Sequence, residues 1–474
     1  MRFSRCLIVV GMSLVFMTGV HASNDCSHIK GLKDTQNITC GFVSVPEDHS
    51  KPEGKKIEIA YAVIRSEAKD KRPDPVVFLS GGPGSGTLNA GFIGFMRSSP
   101  LIKKRDIVLF DQRGIQHSSA LPDVGKGVFD AMAANVDLKG ERELIAIALS
   151  KTQKEADSQD RDLGSYNTFQ NASDIAVVMK TLGYKKYNLF GISYGTRLGR
   201  AAQDLFPERL NAVILDSPNP MTDDFLMGRI ESFSAAADKV IKACDSDEKC
   251  RKEYPNLKRE YFEVVRNLDR NPLKIEYDNS VFWVNSQDAM YFLRRQLYRN
   301  NAVTMFPAFV RALKEKKVKL IADAIRGERA DVTNGTFNSS MFLAVSTYES
   351  MNTRNTSKKI DELYSSLPHF PAKLGFFTNL YLEGMSFHSK SLPVKARKFK
   401  RSKIPTMIFV NQYDPVTPPE NGALFQRDLE RSKLYILDEA GHSGGDFPCK
   451  MKVMVEFMND PAKDPDTSCL KLFK

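Results

Sequence analysis

Six short apolar runs punctuate the sequence: Pro75–Ser80, Asp106–Asp111, Tyr187–Gly191, Ala212–Asp216, Thr406–Val410 and Lys433–Leu437. None shows a sustained alternation of apolar and polar residues, so none has a side suited to water. Strands of that kind are buried on both faces, as in a parallel sheet covered by helices. Helical periodicity fills Ala172–Leu182, Thr196–Phe206 and Asn421–Glu430. Strands alternating with helices predict an α/β fold, a doubly wound and mostly parallel sheet. Ile57–Arg65 does alternate, and is expected to be an exposed antiparallel strand.

The alternation breaks once. Residues 217–403 are rich in Lys, Arg, Phe and Tyr, with helical stretches such as Met290–Tyr298 and Met305–Leu313. They are expected to form a large, mostly helical cap, inserted before the strand Thr406–Val410. The sheet core is then 23–216 together with 404–474. Ligand sites in open α/β sheets lie at the carboxyl ends of the strands, so a cap inserted there would gate access.

Arg2 and Arg5 precede an apolar run, Leu7–Met17, followed by small residues up to Ala22. That is the pattern of a signal peptide over 1–22, cleaved after Ala22, and an exported chain, periplasmic or secreted. The run is too short to span a bilayer. Loss of Arg2 and Arg5 lowers the net charge from +11 to +9. No dense basic run carries interleaved aromatics, so no nucleic-acid groove is expected. Six cysteines remain after export, in three close pairs: Cys26 with Cys40, Cys244 with Cys250, Cys449 with Cys469. Fifteen connectivities are open; neighbour pairing is expected because each closes a short loop, the alternative being six buried thiols. No pair has C-x-x-C form and no ligand cluster has metal spacing, so neither metal nor cofactor is expected.

Gly191-Ile192-Ser193-Tyr194-Gly195 follows an expected strand and opens an expected helix. In that context a G-x-S-x-G serine sits on a sharp turn with its hydroxyl exposed. A serine needs a base to be nucleophilic. Asp414 follows the strand ending at Val410, and His442 follows the next, Lys433–Leu437; His442 is the one histidine beyond Asp414. The order Ser, acid, His at successive strand ends points to a Ser193–His442–Asp414 triad. The oxyanion would be held by the N–H of Tyr194 and by the loop Ser80–Gly84, with Gly82 the expected donor because glycine lets backbone approach a substrate closely. A phosphate loop is disfavoured, since no G-K-[ST] follows.

These motifs resemble the secreted tripeptidyl aminopeptidase branch of the α/β-hydrolase serine peptidases, relatives of prolyl aminopeptidase. The resemblance is carried by Cys40–Asp48, Gly81–Gly86, Asp111–Gly114, Gly191–Arg197, Asp216–Pro218, Tyr413–Pro418, Gly441–His442 and the late cysteine pair. It implies an α/β-hydrolase fold and hydrolysis of peptides with a free N-terminus, releasing short peptides or a terminal proline. Cap carboxylates hold the substrate ammonium in that family. Ala344–Ser350 resembles the segment that carries one, which makes Glu349 the candidate, although Thr347 stands where a cysteine is common. Asp111 and Arg113 are expected to hold a loop. An esterase or amidase acting on small acyl substrates is the alternative, and a non-catalytic binding protein the third reading. The sequence does not speak to the oligomeric state.

Overall fold

The sheet has eight strands, and its order places the two halves of the chain side by side. The strands are β1 (Ile38–Pro46), β2 (Lys56–Ile64), β3 (Val76–Leu79), β4 (Ile107–Phe110), β5 (Tyr187–Ile192), β6 (Leu210–Asp216), β9 (Thr406–Asn411) and β10 (Ser432–Leu437). They lie in the order β1-β2-β4-β3-β5-β6-β9-β10. β1 pairs antiparallel with β2, and β2 with β4; the other neighbours are parallel. This computed structural model describes residues 26–473 apart from 222–224, 299, 351–356, 368–369, 385–386, 388–389 and 439. The expected signal peptide lies outside the described residues.

Every residue of β3, β4 and β9 is buried, as their unbroken apolar character requires. One core on one face holds Phe78, Phe190, Ile214 and Phe409; another on the opposite face holds Leu79, Leu189, Leu215 and Ile408. Two expectations change. The strand foreseen at Ile57–Arg65 is not exposed: β2 lies between β1 and β4, and seven of its nine residues are buried. β10, foreseen as fully buried, is the last strand and mostly half-buried. An edge strand has a partner on one side only, and Lys433 belongs to the charged residues that blunt such edges.

Between β6 and β9 the chain is mostly helical, with one hairpin, β7 (Leu273–Tyr277) and β8 (Ser280–Val284). Its own core is built from residues such as Phe233, Val240, Tyr261, Phe282, Phe292 and Phe306. Phe129 and Met132, from a helix that precedes Ser193, join that core. The three disulfides are Cys26–Cys40, Cys244–Cys250 and Cys449–Cys469. No helix among the described residues is long and apolar enough to cross a membrane.

Candidate active site

β5 ends in a turn that only small neighbours permit. Ser193 has φ 55° and ψ −119° and stands at the head of the helix Tyr194–Leu205. A β-carbon on Gly191 would collide with the carbonyl of Gly195, and one on Gly195 with the carbonyl of Leu79. Both glycines of the pentapeptide are therefore demanded by close backbone approach. The Ser193 N–H donates to Asp216 O at 2.9 Å, while its carbonyl accepts from the Thr196 hydroxyl at 2.6 Å. These bonds hold a backbone conformation that costs on the order of 1–3 kcal/mol.

Asp414 and His442 come from the loops after β9 and β10 and meet directly. His442 Nδ1 lies 2.8 Å from Asp414 Oδ2 and 3.0 Å from Oδ1. Asp414 also accepts from the N–H groups of Val416 and Thr417, both at 2.8 Å, and from the Thr417 hydroxyl at 2.7 Å. Burial pushes its carboxyl up, but the imidazole and the Thr417 donors outweigh that and hold it below the usual carboxylate range. Behind the His442 loop, the fully buried Lys450 pairs with Asp216 and donates to Gly444 O at 2.8 Å. Ser217 Oγ accepts from the Ser443 N–H at 2.9 Å.

Ser193 and His442 line one cavity of about 670 Å³ between sheet and cap, together with Gly81, Gly82 and Ser443. Gly82 has φ +104°, and a β-carbon there would lie 2.6 Å from Gly84 N. Gly81 is nearer the serine: its β-carbon would lie 3.1 Å from Ser193 Cβ. The cap clamps this loop, with Gly86 N–H donating to Thr336 O at 2.7 Å and Asn338 N–H to Gly84 O at 2.8 Å. The N–H of Tyr194 is among the first four of its helix, which have no intrahelical acceptor and point toward the helix N-terminus.

Glu349 does not line the cavity. It is fully buried; one oxygen accepts from the Thr168 N–H at 2.7 Å, and the other pairs with Arg197 Nη1 at 2.8 Å. The expectation that it receives a substrate ammonium is corrected on that ground: its charge is neutralised by Arg197, in a helix-to-helix tie. The carboxylates that do line the cavity are Glu328 and Asp331, which sequence reasoning did not single out. They stand three positions apart on the helix Val318–Thr333, and Arg295 reaches both, at 3.3 and 2.8 Å. Burial pushes the Glu328 carboxyl up, more than Arg295 and the Tyr291 hydroxyl bring it down.

The helix Ser286–Gln296 was legible, but its role was not. Asn285 caps it, accepting from the N–H groups of Gln287 and Asp288 at 2.9 and 3.1 Å. Tyr291, Arg294, Arg295 and Tyr298 all line the cavity. Tyr291, Arg294 and Arg295 share one helix face, and Tyr298, two residues past the helix end, continues the i, i+3, i+4, i+7 spacing, a signal that could have found them. The Tyr298 ring meets the His442 ring edge-on, with centroids 5.1 Å apart. Asp111 and Arg113 hold loops. Arg113 is buried against Asp174 at 2.7 Å and the Ser165 carbonyl at 2.8 Å, and Asp111 accepts from the N–H groups of Thr87 and Leu88. Among the described residues no group of His, Cys, Asp and Glu could hold a metal ion.

A strained serine at a strand-to-helix turn, with an Asp-paired imidazole in the same cavity, is an arrangement suited to acyl transfer. The chain belongs to the α/β-hydrolase family: that family's model, described as the alpha/beta hydrolase fold, matches residues 74–447. It is similar to tripeptidyl aminopeptidase of Streptomyces coelicolor, 31% identical over 200 residues, which cover 39% of this chain and 36% of the relative. It is also similar to the serine protease Hip1 of Mycobacterium tuberculosis, 28% identical over 223 residues, 44% of this chain and 42% of the relative. These two matches therefore span well under half the length of either relative. The Escherichia coli protein YuaR is 22% identical over 471 residues, covering 91% of this chain and 88% of that one.

Proposed function

We propose that this hydrolase is an exported serine aminopeptidase, of tripeptidyl or prolyl type, that cleaves peptide bonds near a free N-terminus through an acyl-enzyme. The observation that carries the reading is Ser193, at φ 55°, opening into the cavity that also holds an Asp414-bonded His442. His442 Nε2 takes the Ser193 proton as Oγ attacks the scissile carbonyl, then returns it to the leaving amine. Water, deprotonated by the same nitrogen, releases the acyl group. Asp414 fixes the tautomer with the proton on Nδ1 and stabilises the imidazolium. The N–H groups of Tyr194 and Gly82 receive the oxyanion, each worth about 3–4 kcal/mol of barrier. An incoming ammonium meets Asp331, the half-exposed carboxylate of the cavity wall, which it shares with Arg295. Three disulfides favour an oxidising compartment, in line with export.

A panel of fluorogenic Pro, Ala and tripeptide amides, free and N-acetylated, tests the reading, with Ser193→Ala as blank. Free amines should be cleaved and acetylation should sharply lower kcat/KM. Equal turnover of blocked and free substrates would favour the second reading, an esterase or amidase. That reading draws on the phenylalanines of the cavity wall, Phe129, Phe342, Phe376 and Phe377, which suit small apolar acyl groups equally well.

A further inference from the structure

We infer that Arg294 is a receptor for a carboxylate on the substrate, so that acidic substrates are preferred over their neutral isosteres. The inference deepens the proposed function and rests on it for the site. Arg294 lines the cavity and is 1% exposed. Its Nε–H has no hydrogen-bond partner among the described residues. Aromatic faces surround the guanidinium instead, Phe377 at 4.7 Å and Tyr298 at 5.4 Å from its central carbon.

A buried charge is costly unless paired; Glu328 is near enough to feel the Arg294 charge, but the neighbouring carboxylates make their hydrogen bonds and ion pairs elsewhere. Glu328 accepts from Tyr291 and faces Arg295, and Asp331 pairs with Arg295 as well. Cation–π contacts offset part of the cost, but a ring supplies no hydrogen-bond acceptor for a guanidinium fork. A carboxylate does, two-pronged and with the right charge. Tyr298 touches both Arg294 and His442, so the receptor lies one ring from the imidazole. An extended peptide advances about 3.3–3.6 Å per residue, which puts the recognised carboxylate within about three residues of the scissile bond.

The test compares substrates differing only in that charge. Peptide amides carrying Glu or Gln, and Asp or Asn, at each position flanking the bond are assayed with the wild-type protein, Arg294→Met and Arg294→Lys. Nitrophenyl esters of glutaric acid (as the half-ester) and of glutaramic acid, its neutral amide isostere, are assayed beside them. The wild type should favour one acidic member over its neutral partner by about tenfold or more, the scale of one charged hydrogen-bonded pair. Arg294→Met should bring that ratio near one, and Arg294→Lys should restore part of it. A wild-type ratio of one or below at every position, for peptides and esters alike, overturns the inference. So does a ratio that survives in Arg294→Met. Should Arg294→Met fail to fold, the wild-type ratio and the Arg294→Lys ratio decide. Absence of peptide cleavage with ester turnover intact would count against the aminopeptidase reading alone, since the ester pair still reads Arg294.

Discussion

Ser193 occupies a backbone region that a β-carbon resists, and its neighbours are chosen to allow it. Gly195→Ala would drive a methyl into the Leu79 carbonyl. We expect that variant to lose activity and to show a lower Tm by calorimetry. Ser193→Ala should lower kcat by about 10⁴-fold or more while leaving the fold intact, as circular dichroism would check. The Asp414 carboxyl lies below its ordinary value in the folded chain. Its stabilising contribution is thus present above the unfolded pKa, about 3.9, and is lost as pH falls through the lower folded value. Asp414→Asn should flatten the acid side of a urea-midpoint profile below pH 4. Ser193, Asp414 and His442 were expected together because the order of motifs along the chain follows the order of strand ends; the structure joins His442 to Asp414 and lines one cavity with His442 and Ser193. Glu349 misled because a sequence gives a glutamate no direction. Its partner Arg197 sits in the same motif as Ser193, but a pairing across 152 positions is invisible until the chain folds.

Helices carry the next set of consequences. Glu349 joins the cap helix Ser339–Ser350 to the helix that follows Ser193. Glu349→Gln breaks a buried pair and should cost about 3–5 kcal/mol, read as a fall in urea midpoint. Peptide and ester hydrolysis should decline together; a selective rise in KM for free-amine peptides would return Glu349 to the binding site. The helix Leu138–Ser158 buries Glu141, which accepts from Asn379 at 3.1 Å. Burial, only partly relieved by that bond, pushes its carboxyl up to about 7. A raised carboxyl favours the folded state below its unfolded pKa, and that advantage is lost as pH rises through about 7. Glu141→Gln should therefore raise Tm at pH 8 by about 2 °C or more and change little at pH 4. At this scale the helices around Ser193 and in the cap were legible from periodicity. β1 was not, because Gly41 and Pro46 interrupt its pattern. The β7–β8 hairpin was missed, although Asp278 and Asn279, both with positive φ, are the residues such a turn favours.

Across the whole molecule, short covalent loops and a shared cap hold the parts in register. The disulfides close separations of 14, 6 and 20 residues. Replacing Cys449 and Cys469 by Ala should lower stability by about 3 kcal/mol, measured by denaturant titration under oxidising conditions. The fold class was legible because unbroken apolar strands have one physical solution. The cavity was not, because its wall is assembled from elements far apart in the chain. Phe129 precedes the serine, Tyr298 follows it by more than a hundred positions, and Phe377 stands further on still. The cap also touches both remaining loops of the site: Asn300 accepts from the Gly445 N–H at 2.7 Å, and Asn338 donates to Gly84. A chimera that borrowed its cover from a cousin would consequently swap the bracing of the imidazole and of the glycine loop beside Ser193 along with the lining of the cavity. In this scaffold, selectivity and rate cannot be engineered as separate modules.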